Sequence, residues 1–181
     1  MPLTVIVFET HATSIDNEAG RASGWDDVDL SPAGEQQAAE LGARHAGALP
    51  DVVYVSDALR ALRTAQIAFG GRVPVVRDPR LRECHYGRLT GAPTAEIDAI
   101  RSVHVVAPFP EGESYGDVVV RVQVWLRGAL EVYGGRTVLV IGHRATWYAL
   151  EHLLAGRSLA EVVGAPWRWQ PGWRYTSRAS K

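Results

Sequence analysis

Two apolar runs that each lead into a histidine constrain the fold more than any other feature of this chain. Leu3 to Phe8 is rich in β-branched residues and lacks helical spacing, so it reads as a fully buried strand of a parallel sheet. The polar stretch after it carries His11. Val138 to Ile141 is a second such run and passes through Gly142 straight into His143. In open α/β sheets ligands collect outside the carboxyl ends of the strands. Two buried strands of this kind can therefore bring two imidazoles into one pocket.

The intervening chain alternates helical and extended signals. Ala12 to Leu30 reads as a long polar loop, more often functional than decorative in a compact domain. Ser31-Pro32 opens a helix, Ser31 as cap and Pro32 in the first turn. Asp51 to Val55 is a strand, and Ser56-Asp57 are expected to cap a helix from Ala58 to Phe69. Arg60 falls in the first turn of that helix, where a cation opposes the helix dipole unless an anion sits nearby. Val73 to Val76 is a further strand. Asp78 to Gly91 is charged and turn-rich, hence loop, and holds Glu83. Thr94 caps a short helix to about Val103, and Ser114 to Tyr133 is a long amphipathic helix. Gly142 to Thr146 turns into a helix ending near Leu154, with a further helical turn from Leu159 to Val163. The aromatic tail from Trp167 to Tyr175 suits an edge strand kinked at Pro171-Gly172. Its tryptophans are assigned to covering the sheet edge and core, with a pocket wall or a homodimer contact as the competing assignments. Strands alternating with helices give an α/β fold with a mainly parallel sheet.

Composition excludes several classes. A chain of 181 residues suits one domain, 1–181, with a full core. A net charge of −1 gives no general bias toward nucleic acid or an anionic membrane. No apolar run approaches a membrane span, so a cytoplasmic location is the default expectation. The lone Cys84 excludes an intrachain disulfide and a multi-cysteine metal site.

The polar groups expected at one end of the sheet are His11, Asn17, Arg60, Glu83 and His143. A neutral imidazole is a competent nucleophile near pH 7, its ordinary pKa being ~6.5. Arginine matches phosphate bidentately. A carboxylic acid can protonate a leaving oxygen. Together they suit phosphoryl transfer through a phosphohistidine. A two-histidine metal site fits less well: no H-x-x-H or H-E-x-x-H spacing occurs, and the arginine would repel a cation.

Six segments, in order, resemble the histidine phosphatase superfamily that includes the cofactor-dependent phosphoglycerate mutases. They are Thr10 to Asn17 with Gly20-Arg21, Leu30 to Gly34, Ser56 to Ala65, Leu81 to Gly91, Gly112 to Val122, and Val138 to His143. The resemblance implies a three-layer α/β/α sandwich of the phosphoglycerate mutase type. It implies His11 as nucleophile, Arg60 and His143 as phosphate ligands, Glu83 as proton donor and Asn17 as a pocket ligand, with Arg21 beside them. It implies no metal and no cofactor, and a small phosphorylated metabolite as substrate.

Two positions depart from the family pattern. Thr10 stands where the family has an arginine before the nucleophile, and Arg144 where a small residue usually follows the second histidine. Arginines that stabilise phosphoryl transition states are worth roughly 10³–10⁵ in rate, so the charge missing at Thr10 needs a substitute. Arg144 is the expected one, with a solvent-facing side chain or pairing to Glu9 or Asp16 as the competing assignment. A phosphomonoesterase is the preferred function, because the stretch from Glu83 to His143 is short for a mutase of this family. The competing functions are a phosphomutase and ligand binding or non-phosphatase chemistry in the same pocket.

Overall fold

The computed structural model describes residues 2–178, so the ends of the expected 1–181 domain lie outside the described residues. Five strands form one sheet: β1 (Thr4–Thr10), β2 (Val52–Val55), β3 (Val75–Arg77), β4 (Thr137–Gly142) and β5 (Trp173–Ser177). Their spatial order is β3-β2-β4-β1-β5. The first four are mutually parallel, and β5 pairs antiparallel with β1 at the edge. The principal helices are α1 (Ile15–Glu18), α2 (Pro32–Arg44), α3 (Leu59–Phe69), α4 (Thr94–Ile100), α5 (Tyr115–Val132), α6 (Arg144–Ala155) and α7 (Leu159–Gly164).

The missing alternation in the two histidine-bearing strands has a direct cause. Successive side chains of a strand point to opposite faces, and both faces of this sheet are covered. Ile6 and Phe8 of β1, with Val138 and Val140 of β4, join Val122, Trp125 and Ala149 of α5 and α6. Val7, Leu139 and Ile141 join Leu41, Ala65 and Phe69 of α2 and α3. The result is the expected α/β/α layering. On the second face α2 and α3 meet closely: a Cβ on Gly42 would lie 2.3 Å from the Ala68 carbonyl oxygen.

Register places the site. Thr10 pairs with Gly142 at the ends of β1 and β4, and the His11 amide donates to the Gly142 carbonyl at 2.9 Å. The Ser56 amide donates to Ile141 O at the end of β2. His11, His143 and Ser56 therefore leave three adjacent strands at the same level.

Several local expectations need correction. The stretch 12–30 contains the short helix α1, closed by a capping box in which Ser14 and Asn17 serve each other. Asp57 does not cap α3. It takes the Arg82 guanidinium bidentately at 2.7 and 2.8 Å, and the Leu59 amide is satisfied by Asp27 Oδ1 at 3.1 Å. The third strand begins at Val75, two residues later than its apolar signal. The tail is extended only from Trp173, after Gly172 turns the chain at φ +71°.

Candidate active site

His11 leaves β1 half-buried. Its Nδ1 lies 2.7 Å from the carbonyl oxygen of Ala12. A carbonyl only accepts, so Nδ1 carries the hydrogen and Nε2 keeps a free lone pair. The Arg60 Nε donates to that Nε2 at 3.3 Å. Burial, helped by the Arg60 charge, brings the His11 pKa down to about 3. The imidazole is thus neutral over the physiological range.

Arg60 is 2% exposed. Its Nη1 donates to Asp26 O at 2.9 Å and its Nη2 to Gly24 O at 2.8 Å. These two carbonyls fix the plane of the guanidinium between the histidines. His143, 1% exposed, has its Nδ1 3.4 Å from Arg60 Nη2 and its Nε2 2.8 Å from Ser56 Oγ. Since Arg60 only donates, the His143 proton lies on Nε2 and is given to Ser56. Burial, followed by the charge of Arg60, holds the His143 pKa well below its ordinary value. The two imidazole centroids are 4.9 Å apart. His11 and His143 from the ends of β1 and β4, with Arg60 from the first turn of α3, thus surround one small volume with lone pairs and N–H donors.

Glu83 stands on the irregular segment between β3 and α4. Its Oε1 accepts from the amides of Cys84 at 2.8 Å and Ala145 at 3.2 Å. Burial nevertheless pushes its pKa up, against these amides and the nearby Arg60. A raised carboxyl pKa favours the protonated form, which a proton donor needs.

A cavity of about 280 Å³ opens over these groups, bounded by His11, Arg60, Glu83, Tyr86, Arg144 and Trp169. Thr10, Asn17 and Arg21 also line it, so every expected site residue borders this cavity or, as His143, touches Arg60 beside it. Asn17 spends its carbonyl oxygen on the α1 cap, which leaves its amide nitrogen as the group for a ligand. A larger cavity of about 370 Å³ flanks the α2 side of His11. It lacks Arg60 and Glu83, which border the smaller one.

Neither departure behaves as its simplest reading suggests. Arg144 pairs with neither Glu9 nor Asp16. Its Nη1 donates to Asp98 Oδ1 at 2.8 Å, an oxygen that also accepts from Arg101 at 3.1 Å. Its guanidinium lies near the Tyr148 and Trp167 rings, and its buried Nε has no partner. Glu9 is 2% exposed and is taken up by Arg44 and His45, each at 3.1 Å. The Thr10 hydroxyl accepts from the Trp169 indole at 3.2 Å. The tail assignment holds for Trp173, which packs on Phe8 and Trp147, while Trp167 stacks on Trp173 and also lines the cavity. It fails for Trp169, which is 58% exposed and stands at the cavity rim. Sequence reasoning also missed Ser56 as the partner of His143, and the Gly24 and Asp26 carbonyls that hold Arg60. Backbone acceptors leave no residue-type signal.

Among the described residues no group of three or more His, Cys, Asp or Glu side chains could hold a metal ion, and no helix is long and apolar enough to cross a membrane.

The fold and this pair of histidines define a class of α/β proteins with two imidazoles at the carboxyl end of a parallel sheet. The chain belongs to the histidine phosphatase superfamily (branch 1), matched over residues 6–169. It is 30% identical over 196 aligned residues to a 2,3-bisphosphoglycerate-dependent phosphoglycerate mutase of Bifidobacterium longum (strain DJO10A), covering 87% of this chain and 80% of that protein. Bacillus stearothermophilus YhfR superposes with a TM-score of 0.83 at 28% identity, covering 94% of this chain and 90% of that one. Mycobacterial glucosyl-3-phosphoglycerate phosphatase superposes with a TM-score of 0.78 at 25% identity, covering 89% and 84%.

Proposed function

We propose that the protein is a phosphomonoester hydrolase that works through a phosphohistidine at His11. The observation that carries this is the His11 tautomer: Nδ1 is tied to Ala12 O, and the unprotonated Nε2 directs its lone pair to the Arg60 Nε–H. In the first step Nε2 attacks phosphorus and the bond to the ester oxygen breaks. Glu83 gives its proton to that oxygen, and the alcohol leaves. In the second step water loses a proton to the Glu83 carboxylate and attacks phosphorus, and the P–N bond breaks. Arg60 and His143 hold the non-bridging oxygens throughout, and Arg144 leaves Asp98 to add the charge missing at Thr10.

The substrate is a small phosphorylated metabolite. A phosphatase among the structural neighbours supports the hydrolytic reading, and the mutases among the relatives support the competing one, in which a second alcohol replaces water. The test is turnover of an aryl phosphate without added metal, combined with acid-quenched labelling. Hydrolysis with an acid-labile, base-stable adduct that disappears in His11→Ala supports the reading. An adduct that survives that change overturns it. Phosphoryl transfer to an added alcohol in preference to water would favour the mutase.

A further inference from the structure

The structure points to a role for Trp25 that the reaction above does not use. Two irregular segments carry the reacting apparatus. Residues 23–27 supply the Gly24 and Asp26 carbonyls that hold Arg60, and residues 82–86 carry Glu83. No ladder of strand or helix hydrogen bonds joins them.

Trp25 joins them. Its indole Nε1 donates to the Glu83 carbonyl oxygen at 2.8 Å. The Arg82 guanidinium lies 4.8 Å from its ring centroid, and the His85 ring meets it edge-on at 4.6 Å. The indole is thus gripped by both flanks of Glu83. Its own backbone neighbours are the two acceptors of Arg60. A Cβ added at Gly24, where φ is +51°, would lie 3.2 Å from Tyr86 Cδ2 and 3.5 Å from the Cys84 carbonyl. The two segments therefore also approach each other at Gly24, beside the indole. Arg82 extends the link to Asp57, next to Ser56, the partner of His143.

We propose that Trp25 is a positioning residue that fixes Glu83 relative to the phosphate held by Arg60, an inference that rests on Glu83 being the acid. Trp25 is 38% exposed, so its burial contributes little to the core. Arg121 Nη2 donates to the same Glu83 carbonyl at 2.9 Å from a strut that also holds Arg80 O and Arg82 O. The segment therefore stays folded without the indole N–H. What is lost is one of two restraints on the Glu83 backbone, and with it the alignment of the carboxyl to the leaving oxygen. A displacement of that kind is felt in proton delivery before it is felt in binding.

The experiment compares Trp25→Phe, Glu83→Gln and the parent protein on aryl phosphates with leaving groups of low and high pKa. Trp25→Phe keeps a ring against Arg82 and removes the N–H. The expected result is a fall of about tenfold in kcat/KM on the poorest leaving group, a fraction of the ~10²–10⁴ that a positioned acid contributes. The best leaving group changes less than about twofold, because it needs little protonation. Inhibition by inorganic phosphate stays unchanged, since the acceptors of Arg60 are backbone. Equal loss on all esters, no loss on any, or a protein that fails to fold overturns the proposal. A flat leaving-group response in Glu83→Gln removes the acid assignment and this inference with it. A steep response there with a flat one in Trp25→Phe overturns this inference alone.

Discussion

Arg60 Nη2 lies 3.4 Å from His143 Nδ1, so a buried guanidinium and a buried imidazole face the same small volume. Burial, reinforced by the Arg60 charge, holds the His143 pKa well below its ordinary value, so the imidazole is neutral beside the guanidinium. An oxyanion placed between them reverses the balance, because a nearby negative charge favours the protonated ring.

Phosphate binding should therefore be coupled to proton uptake. At pH 7 the ligand-free His143 is neutral, and in the complex it is charged, so about one proton enters from solution. Titration calorimetry in two buffers of different ionisation enthalpy measures this directly. Identical apparent enthalpies would mean that His143 stays neutral and donates nothing through Nδ1.

Arg60→Lys should be nearly as harmful as removal. Lysine is a point donor and cannot meet Gly24 O, Asp26 O and both histidines at once. A fall in kcat/KM of roughly 10³ or more is expected from the range seen for transition-state arginines. Steady-state kinetics checks it, and a loss below about tenfold would place the phosphate elsewhere.

Stability should rise with pH between about 5 and 7. An unfolded histidine titrates near ~6.5. His11 falls to about 3 in the fold and His143 lies well below its ordinary value, so below 6.5 the unfolded chain binds more protons. Stability from these groups is complete above the unfolded pKa and is lost as pH falls toward the folded values. Glu83 works the other way: its raised pKa contributes stability at low pH that is lost as pH rises through the folded value. For His143 the limiting slope is about 1.4 kcal/mol per pH unit. Melting temperatures of His143→Gln from pH 7.5 to 5 should show a shallower acid slope than the parent. Parallel curves would remove His143 as the cause.

The two histidine-bearing strands, the cap at Ser31, and the convergence of His11 and His143 were legible because each rests on local chemistry. A β-branched run buried on both faces needs only its own residues to be recognised. The hydroxyl of Ser31 accepts from the Gly34 amide three residues on. The unread parts depend on long-range partners. Asp57 sits where a cap belongs, and Arg82, twenty-five residues later, takes it instead. Glu9 is a carboxylate inside a buried strand, tolerable only because Arg44 and His45 arrive from the end of α2. Trp169 resembles its aromatic neighbours in sequence. Its exposure follows from the turn at Pro171-Gly172, which lays Trp173 on the core and leaves Trp169 at the rim.

Arg144 tests how the site manages without an arginine at Thr10. Its side chain borders the cavity and rests on Asp98, whose Oδ1 it shares with Arg101. Two cations on one carboxylate leave an excess charge on this wall. Asp98 is exposed and keeps Arg101 as a partner, so it is not left unpaired when Arg144 turns to a phosphate. A phosphate would give Arg144 a charge-assisted partner and satisfy the unpaired Nε. Arg144→Ala leaves Asp98 paired with Arg101, so the fold should survive. Phosphate affinity and turnover should fall together by about 10- to 100-fold, the worth of one hydrogen bond to a charged group. Thr10→Arg in that background should restore part of both, after displacing the Trp169 indole from its contact with Thr10. Competition binding with inorganic phosphate and aryl phosphate kinetics on the two variants decide the matter. Unchanged affinity and turnover in Arg144→Ala would show that Arg60 carries the phosphate alone, and the compensation would then have no basis.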